Sequence, residues 1–235
     1  MDSNSMSFEQ LPLSVEPPLD ETFATYVAGA NAEVVSLLQS ESQPLVYLWG
    51  SHQTGKSHLL HALCAEASAT QQSLMYLPLA ELKQVDEPEV LLQGLAEVDL
   101  LCLDDVDQVI SHRAWCYGLF ALLNQRLDRG SGRTVITANC SPQHLDAALA
   151  DVQSRLQWGL VLQLKRLADE DKLTLLQRRA EALGLQLKDD AAKFLIQRSG
   201  RDLSELLQQL NRLNQASFVA KRRLTIPFIK DVLGY

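Results

Sequence analysis

The sequence predicts an α/β fold: a three-layer domain built on a parallel sheet, followed by a small all-helical domain. Three observations lead to this prediction. Short apolar segments alternate with helical segments up to about residue 165, a glycine-rich loop follows the first of them, and the strand-like segments then stop. Strands that are buried on both faces and alternate with helices are typical of a parallel sheet that helices cover on both sides.

The predicted strands are short apolar segments, most of them rich in residues that favour strands. They occupy residues 44–50, 73–79, 98–105, 133–140 and 159–165. The helical segments between them occupy residues 56–69, 88–98, 114–130 and 141–156. This alternation predicts a sheet between two layers of helices.

The segments after residue 165 are predicted to be helices only. The segment 168–184 begins with acidic residues and ends on Gly184, as capped helices do. Further helices are predicted at 189–200, 201–223 and 224–235. The predicted organisation is a flexible tail at 1–19, an α/β domain at 20–165 and a helical lid domain at 166–235.

The composition argues for a soluble globular protein that does not bind nucleic acid by itself. The chain has 235 residues and a formal net charge of −8, and a negative surface repels phosphate at long range. It has no apolar run of about 20 residues and no signal peptide at its start, so we expect a cytoplasmic protein without membrane contact. The four cysteines lack metal-ligand spacing and are expected to be buried thiols.

A phosphate-binding loop is the strongest chemical signal in the sequence. Residues 50–57 satisfy the pattern G-x-x-x-x-G-K-[ST] between a predicted strand and a predicted helix. The glycines let backbone N–H groups surround a phosphate, the lysine neutralises the β- and γ-phosphates, and the serine hydroxyl helps to hold Mg²⁺. The candidate nucleotide-binding residues of this loop are Gly50, Ser51, His52, Gln53, Thr54, Gly55, Lys56, Ser57 and His58.

Two carboxylates end the predicted strand at 98–105. A strand end beside a phosphate-binding loop is where a metal-organising acid belongs, so Asp104 is expected to hold Mg²⁺ together with Ser57. Asp105 is then expected to orient the attacking water. Asp107, in contrast, is expected to be an acidic N-cap of the next helix.

Three further polar residues fit a hydrolytic site, each with an ordinary alternative. Asn139 ends a predicted strand and either contacts the γ-phosphate or the water, or is a simple turn residue. Arg155, before the last strand, and Arg201, at the start of a lid helix, are either solvated surface arginines or the positive charges that a phosphoryl-transfer transition state needs.

Together these motifs resemble those of the AAA+ ATPases. GSHQTGKS resembles Walker A, LLCLDD Walker B, TAN sensor 1, QSRLQWG the arginine-finger box and GRDLSELLQQL sensor 2. Within that class, the DD ending, the SR-x-x-WG box and the R-(D/E)-L helix resemble the nucleotide-binding core of the bacterial replication initiator DnaA. ETFATYVAGANAEVVSLL also resembles the DnaA segment beside the adenine, which makes Phe23, Tyr26 and Val27 candidate adenine contacts. The resemblance covers nearly the whole chain from about residue 20.

The chain stops at Tyr235, where DnaA would continue into a DNA-binding domain. The resemblance therefore implies a regulatory paralogue of DnaA that binds ADP or ATP with Mg²⁺. Such paralogues work with the DNA-loaded sliding clamp to make DnaA hydrolyse its ATP, which prevents re-initiation of replication. By this resemblance, Arg155 reaches the nucleotide of a partner DnaA as an arginine finger, and Arg201 contacts the phosphate end from the lid. Side-by-side assembly with DnaA or with a second copy of the chain is also implied.

The sequence departs from the AAA+ pattern in two places. Asp105 stands where AAA+ hydrolases usually have glutamate, and this shorter carboxylate predicts weak intrinsic ATPase activity at most. Between Asp105 and Arg133 there is no clear counterpart of the helix with which the initiator grips single-stranded DNA, so DNA is expected to be reached through the clamp. The basic cluster of Lys221, Arg222 and Arg223 is expected to be a solvated helix end.

The tail carries an apolar hexapeptide, QLPLSV, at residues 10–15. By its spacing alone it is either a stray hydrophobic segment or an extended docking peptide. It resembles the clamp-binding hexapeptide QL-x-L-x-L, in which the glutamine bonds the rim of a pocket and alternate apolar side chains enter it. The candidate clamp contacts are Gln10, Leu11, Leu13 and Val15.

Two other functions fit a chain with these motifs. A self-sufficient AAA+ ATPase, such as a helicase loader or a clamp loader subunit, would hydrolyse ATP in proportion to its own assembly. A P-loop kinase for small molecules would need phosphate-binding arginines in a mobile lid, and the leucine-striped lid sequence argues against that function.

Overall fold

The computed structural model describes residues 20–40, 43–199, 202–220 and 223–235. Within these ranges the chain forms a five-stranded parallel sheet with helices, followed by a helical lid. The predicted fold class is thereby confirmed. The hexapeptide at 10–15, Arg201, Lys221 and Arg222 lie outside the described residues.

The sheet has the strand order β2-β3-β4-β1-β5, and every neighbouring pair is parallel. Its strands are β1 (Leu45–Trp49), β2 (Leu74–Pro78), β3 (Leu100–Asp104), β4 (Arg133–Ala138) and β5 (Leu160–Gln163). Each strand lies inside one of the segments predicted from the sequence. Because all strands point the same way, the carboxyl ends of β1, β3 and β4 meet at one edge of the sheet, where ligands of open α/β folds bind.

Helices pack on both faces of this sheet. They are α1 (Ala32–Gln39), α2 (Lys56–Ala69), α3 (Leu79–Leu82), α4 (Pro88–Leu91), α5 (Arg113–Arg129) and α6 (Ala150–Trp158). Alternate residues of β1 enter different cores: Tyr47 packs in the core that α5 covers, whereas Val46 and Leu48 pack in the core that α2 covers. Successive side chains of a strand point to opposite faces of the sheet, and because helices cover both faces, the strands are apolar throughout.

Two predicted helices are shorter than expected. Within 88–98 only α4 is an α-helix, and Gly94 beyond it has a φ of +78°, a left-handed conformation that ends a helix. The segment 141–156 is divided into a 3₁₀ turn at Pro142–His144 and helix α6. The two parts are separated because Leu145 is extended and buries its side chain in the core under α5.

The lid consists of four helices with a core of their own. They are α7 (Asp169–Ala182), α8 (Asp189–Arg198), α9 (Leu203–Ala220) and α10 (Ile226–Leu233). As predicted, α7 begins with acidic residues and is followed by Gly184 in a left-handed conformation, with a φ of +74°. The leucine stripe of α9 is buried against α7, α8 and α10, so the lid is a packed unit and not an extended arm.

Cys64, Cys102 and Cys116 are buried free thiols, and Cys140 is half-buried. Over the described ranges of the chain, no helix is both long and apolar enough to cross a membrane. Among those same residues, no group of three or more histidine, cysteine and acidic side chains is arranged to hold a metal ion.

Candidate nucleotide-binding site

The glycine-rich loop joins β1 to α2, as the sequence predicts, and its two glycines are required by close contacts. Gly55 has a φ of +86°, and a Cβ added there would lie 2.7 Å from Cε2 of Tyr26. A Cβ added to Gly50 would lie 2.7 Å from the carbonyl oxygen of Leu164. Only glycine fits both positions, so the loop can approach the neighbouring backbone closely.

Lys56 is buried at the first position of α2 and connects the loop with the end of β4. Its Nζ donates to the carbonyl oxygen of Gly50 and to Oδ1 of Asn139, both at 3.0 Å. Burial lowers the pKa of the Lys56 ammonium, while the charges of Asp105 and Asp104 act in the opposite direction. The loop lysine and the predicted sensor residue are therefore in direct contact.

Asn139 is itself held by Asp107. The Asn139 backbone N–H and side-chain amide donate to the two carboxylate oxygens of Asp107, at 3.0 and 2.9 Å. The prediction that Asp107 caps the next helix was wrong, because α5 starts after His112 and the Asp107 carboxylate is bonded to Asn139 instead.

The two acids at the end of β3 have different surroundings. Asp104 is buried and accepts hydrogen bonds from the hydroxyls of Tyr76, at 2.9 Å, and Thr137. Asp105 is left-handed, with a φ of +54°, and its backbone N–H donates to Oγ1 of Thr137 at 2.9 Å. Burial, followed by the charge of Asp104, raises the pKa of Asp105.

A cleft of about 350 Å³ lies between the loop, the segment before α1 and the lid. Of the predicted residues, 52–58, Tyr26, Val27 and Asp105 line it. Phe23 instead packs against the core under α2. Gly50, Ser51, Asp104 and Asn139 are not part of its lining, and Lys56 connects the cleft with Gly50 and Asn139.

The segment before α1 is fixed on α2 by contacts that the sequence analysis missed. The Tyr26 hydroxyl donates to the carbonyl oxygen of Thr54 at 3.2 Å, and burial raises the pKa of the Tyr26 phenol to about 12. Nδ1 of His61 lies 2.6 Å from the Glu21 carboxylate, and this hydrogen bond lowers the pKa of Glu21. Because Glu21 and His61 are 40 positions apart, the sequence carries no signal that they form a pair.

The lid supplies the remaining wall of the cleft, which the sequence analysis also did not identify. Leu175 from α7 and Leu203, Ser204 and Leu207 from α9 line it. The lining therefore combines apolar side chains, which include Val27 and these leucines, with the polar residues of the loop, and Tyr26 lies directly against the loop at Thr54. A mixed lining of this kind suits a ligand with a flat base and an anionic group.

Arg155 lies in the last turn of α6 and does not line the cleft of its own chain. Its guanidinium carbon is 4.1 Å from the ring centroid of Trp158 and 5.9 Å from that of Phe120. Within the described ranges, no carboxylate forms an ion pair with Arg155. Its charge is therefore held by aromatic rings and is not neutralised.

The chain matches two family models along most of its length. The model described as the bacterial DnaA ATPase domain matches residues 20–163, and the model described as the lid domain of Hda matches residues 169–233. The two matched ranges coincide with the sheet-containing part and the helical lid.

Solved structures of similar fold include domain III of DnaA from Thermotoga maritima, with a TM-score of 0.80 and 21% identity over 92% of this chain and 97% of that chain. DnaA from Aquifex aeolicus bound to AMPPCP has a TM-score of 0.72 and 21% identity, over 87% of this chain and 68% of that chain. The RuvB Holliday junction branch migration motor of Thermotoga maritima has a TM-score of 0.65 and 19% identity, over 86% and 67%. With its five-stranded parallel sheet, its glycine-rich loop and a lid that matches the Hda model, the chain belongs to the bacterial DnaA ATPase-domain family of AAA+ proteins.

Proposed function

We propose that this chain is an adenine-nucleotide-binding regulator which, together with the DNA-loaded sliding clamp, stimulates ATP hydrolysis by DnaA and so prevents re-initiation of chromosomal replication. The proposal has three parts: nucleotide binding by the chain itself, attachment to the clamp through the tail, and action on the nucleotide of DnaA through Arg155.

Nucleotide binding is supported by the cleft beside the glycine-rich loop. Its lining includes Lys56 and the start of α2, which suit phosphates, and Tyr26 and Val27, which suit an adenine. The similar DnaA of Aquifex aeolicus was solved with the ATP analogue AMPPCP. ADP and ATP both fit these contacts, and Arg201 is proposed as a further phosphate contact.

The residues at the loop end also fit Mg²⁺. Ser57 and Asp104 offer only oxygen ligands, which this cation prefers, and the nearby Asp105 and Asp107 add negative charge. Bound with nucleotide, Mg²⁺ would neutralise phosphate charge. We assign Asp105 a part in orienting water, and its carboxylate, which is shorter than that of glutamate, supports weak intrinsic hydrolysis.

The position of Arg155 is the observation that carries the regulatory part of the proposal. This arginine does not line the cleft of its own chain, is held over Trp158 and forms no ion pair with a carboxylate of the described residues. A cation so presented suits the phosphates of a neighbouring subunit. Arginine fingers supplied by a partner raise hydrolysis by roughly a thousandfold or more in other nucleotide hydrolases.

Attachment to the clamp is assigned to the hexapeptide at 10–15. Gln10 is proposed to bond the rim of the clamp pocket, and Leu11, Leu13 and Val15 to enter it, because an extended peptide presents alternate side chains to one partner. The clamp then brings the regulator to DNA, where DnaA acts.

The proposal is tested by measuring hydrolysis of ATP that is already bound to DnaA, with the chain and the DNA-loaded clamp added. Arg155→Ala should reduce hydrolysis to the level without the chain, while nucleotide binding and capture by the clamp stay as in the wild type. Arg113→Ala, an exposed arginine on the neighbouring helix α5, is the matched control. Full stimulation by Arg155→Ala would refute the assignment of Arg155. In a separate variant, alanine at positions 10, 11, 13 and 15 should abolish capture of the chain by the clamp.

A second candidate function is a self-sufficient AAA+ ATPase of the helicase-loader or clamp-loader type. It is favoured by the contact between Lys56 and Asn139, which brings the loop lysine to the residue at the sensor 1 position. This candidate predicts steady ATP turnover by the isolated chain, rising more steeply than in proportion to its concentration. The regulatory function instead predicts that ATP turnover stays slow until DnaA and the clamp are present.

A further inference from the structure

One side chain of the glycine-rich loop is bonded to the first residues of the lid helix α9. Nε2 of Gln53 lies 3.0 and 2.9 Å from the two carboxylate oxygens of Asp202. The backbone N–H of Leu203 donates to Oε1 of Gln53 at 3.1 Å. A single amide group thus uses both its donor and its acceptor across 149 residues of sequence. We call these three hydrogen bonds the Gln53–lid contact.

The backbone of Gln53 is unusual for a residue with a side chain. Its φ is +65°, a left-handed conformation that glycine adopts freely and that residues with a Cβ adopt only at a cost. A residue is kept in such a conformation when its surroundings hold it there, and such residues concentrate at ligand sites and switch regions. At Gln53 the surroundings are the loop on one side and Asp202 and Leu203 on the other.

The Gln53–lid contact lies where two walls of the nucleotide cleft meet. Gln53 lines the cleft from the loop, and Leu203 and Ser204 line it from α9. Asp202 also accepts a hydrogen bond from the backbone N–H of Glu205 at 3.0 Å, which is the geometry of an N-cap. The helix start is therefore fixed both to its own first turn and to the loop.

We infer that Gln53 is a positioning residue that slows release of the bound nucleotide by holding α9 against the glycine-rich loop. The inference rests on the nucleotide binding of the proposed function. A nucleotide seated between the loop and α9 leaves when these walls separate, and separation breaks all three bonds of the Gln53–lid contact. Because hydrogen bonds to a charged group contribute more than neutral ones, their loss should speed release by about five- to tenfold.

The test exchanges donor and acceptor across the contact in the full chain. Gln53→Glu cannot donate to Asp202 and places a second negative charge beside it, so labelled ADP should dissociate about five- to tenfold faster. The double variant Gln53→Glu with Asp202→Asn restores a donor opposite an acceptor, and asparagine caps helices as well as aspartate does. Release from the double variant should return towards the wild-type rate.

The rate of ADP release is measured by stopped flow, in which excess unlabelled ADP displaces a bound fluorescent ADP. Gln53→Gly removes the side chain and relaxes the positive φ, so it should release ADP fast while its melting temperature is maintained. Arg179→Ala is the matched control, because it removes a different contact of the lid, the ion pair between Arg179 of α7 and Asp20, which does not involve the loop.

Three results would overturn the inference. The first is a Gln53→Glu variant that releases ADP at the wild-type rate, and the second is a double variant that releases ADP as fast as Gln53→Glu alone. In both cases the proposed nucleotide binding would stand. Failure of the wild-type chain to bind fluorescent ADP at all would overturn the proposed function as well.

Discussion

The guanidinium carbon of Arg155 lies 4.1 Å from the ring centroid of Trp158, a residue that is 66% exposed. The negative face of an aromatic ring attracts a guanidinium that lies over it. The ring restricts the arginine without neutralising it, whereas a carboxylate partner would have to be displaced before Arg155 reached a phosphate. Trp158 is therefore suited to positioning Arg155 for the proposed action on DnaA.

Trp158→Ala should lower the saturating rate of DnaA-bound ATP hydrolysis by about three- to tenfold, because a stacked cation contributes about 1 kcal/mol at a partly exposed site. The concentration of chain for half-maximal stimulation should change less than this rate, since the ring acts on the orientation of Arg155. Hydrolysis assays over a range of chain concentrations separate the two quantities.

Trp158→Phe keeps an aromatic face and should retain most of the stimulation. Tyr117→Ala serves as the control, because Tyr117 is an exposed aromatic on α5 whose hydroxyl accepts a hydrogen bond from Arg113, 3.4 Å away, and not from Arg155. Equal losses in the Trp158 and Tyr117 alanine variants would mean that the aromatic surface acts in general, and not through Arg155.

Lys56→Ala should weaken ADP binding by about a hundredfold or more, because it removes the lysine charge from the lining of the cleft. Isothermal titration calorimetry measures this loss directly. Lys165→Ala removes an exposed lysine just after β5 and should bind ADP as the wild type does. Retained affinity in Lys56→Ala would place the nucleotide elsewhere.

The sheet and the glycine-rich loop between β1 and α2 could be predicted from the sequence because their signals are local. Apolar strands, Gly55 before the lysine and acidic residues at a strand end are each contained in a few consecutive residues. All five strands lie within their predicted segments, and α2 has its predicted bounds of Lys56–Ala69.

What the sequence analysis missed depends on residues far apart in the chain. Gln53 meets Asp202 only because the lid folds back over the loop, and Asp107 meets Asn139 only because β3 and β4 are neighbours in the sheet. The pairing of Glu21 with His61 similarly requires the segment before α1 to lie on α2. Side-chain pairs of this kind have no spacing rule.

Arg126 is a buried cation that the sequence analysis did not single out. From the last turn of α5, its guanidinium donates to the carbonyl oxygens of Leu95, Val98 and Arg133 and to the hydroxyl of Thr134, at 2.6 to 3.0 Å. These bonds tie α5 to the segments that precede β3 and begin β4. Burial lowers the pKa of this guanidinium.

Arg126→Met should lower the free energy of unfolding by about 2–4 kcal/mol, because it leaves several buried carbonyl groups without a donor. Urea denaturation followed by circular dichroism measures the change. Arg129→Met, one turn along the same helix, removes an exposed ion pair with Glu97 and should change stability by less than about 1 kcal/mol. Similar losses in both variants would contradict a structural role specific to Arg126.

Glu21 should make stability depend on pH at the acidic end. Its hydrogen bond with His61 lowers the pKa of the carboxyl below 4.5, the value expected without that partner. A carboxyl whose pKa is lower in the folded state stabilises that state above its unfolded pKa, and the contribution is lost as the pH falls through the folded pKa.

Glu21→Gln, which keeps an acceptor for His61 but cannot be charged, should therefore be less stable than the wild type at neutral pH, and the difference should shrink below about pH 4.5. Thermal unfolding without nucleotide, recorded from pH 7 down to pH 3, measures this difference, and a gap that stays constant over the whole range would show that the Glu21 charge does not stabilise the segment before α1.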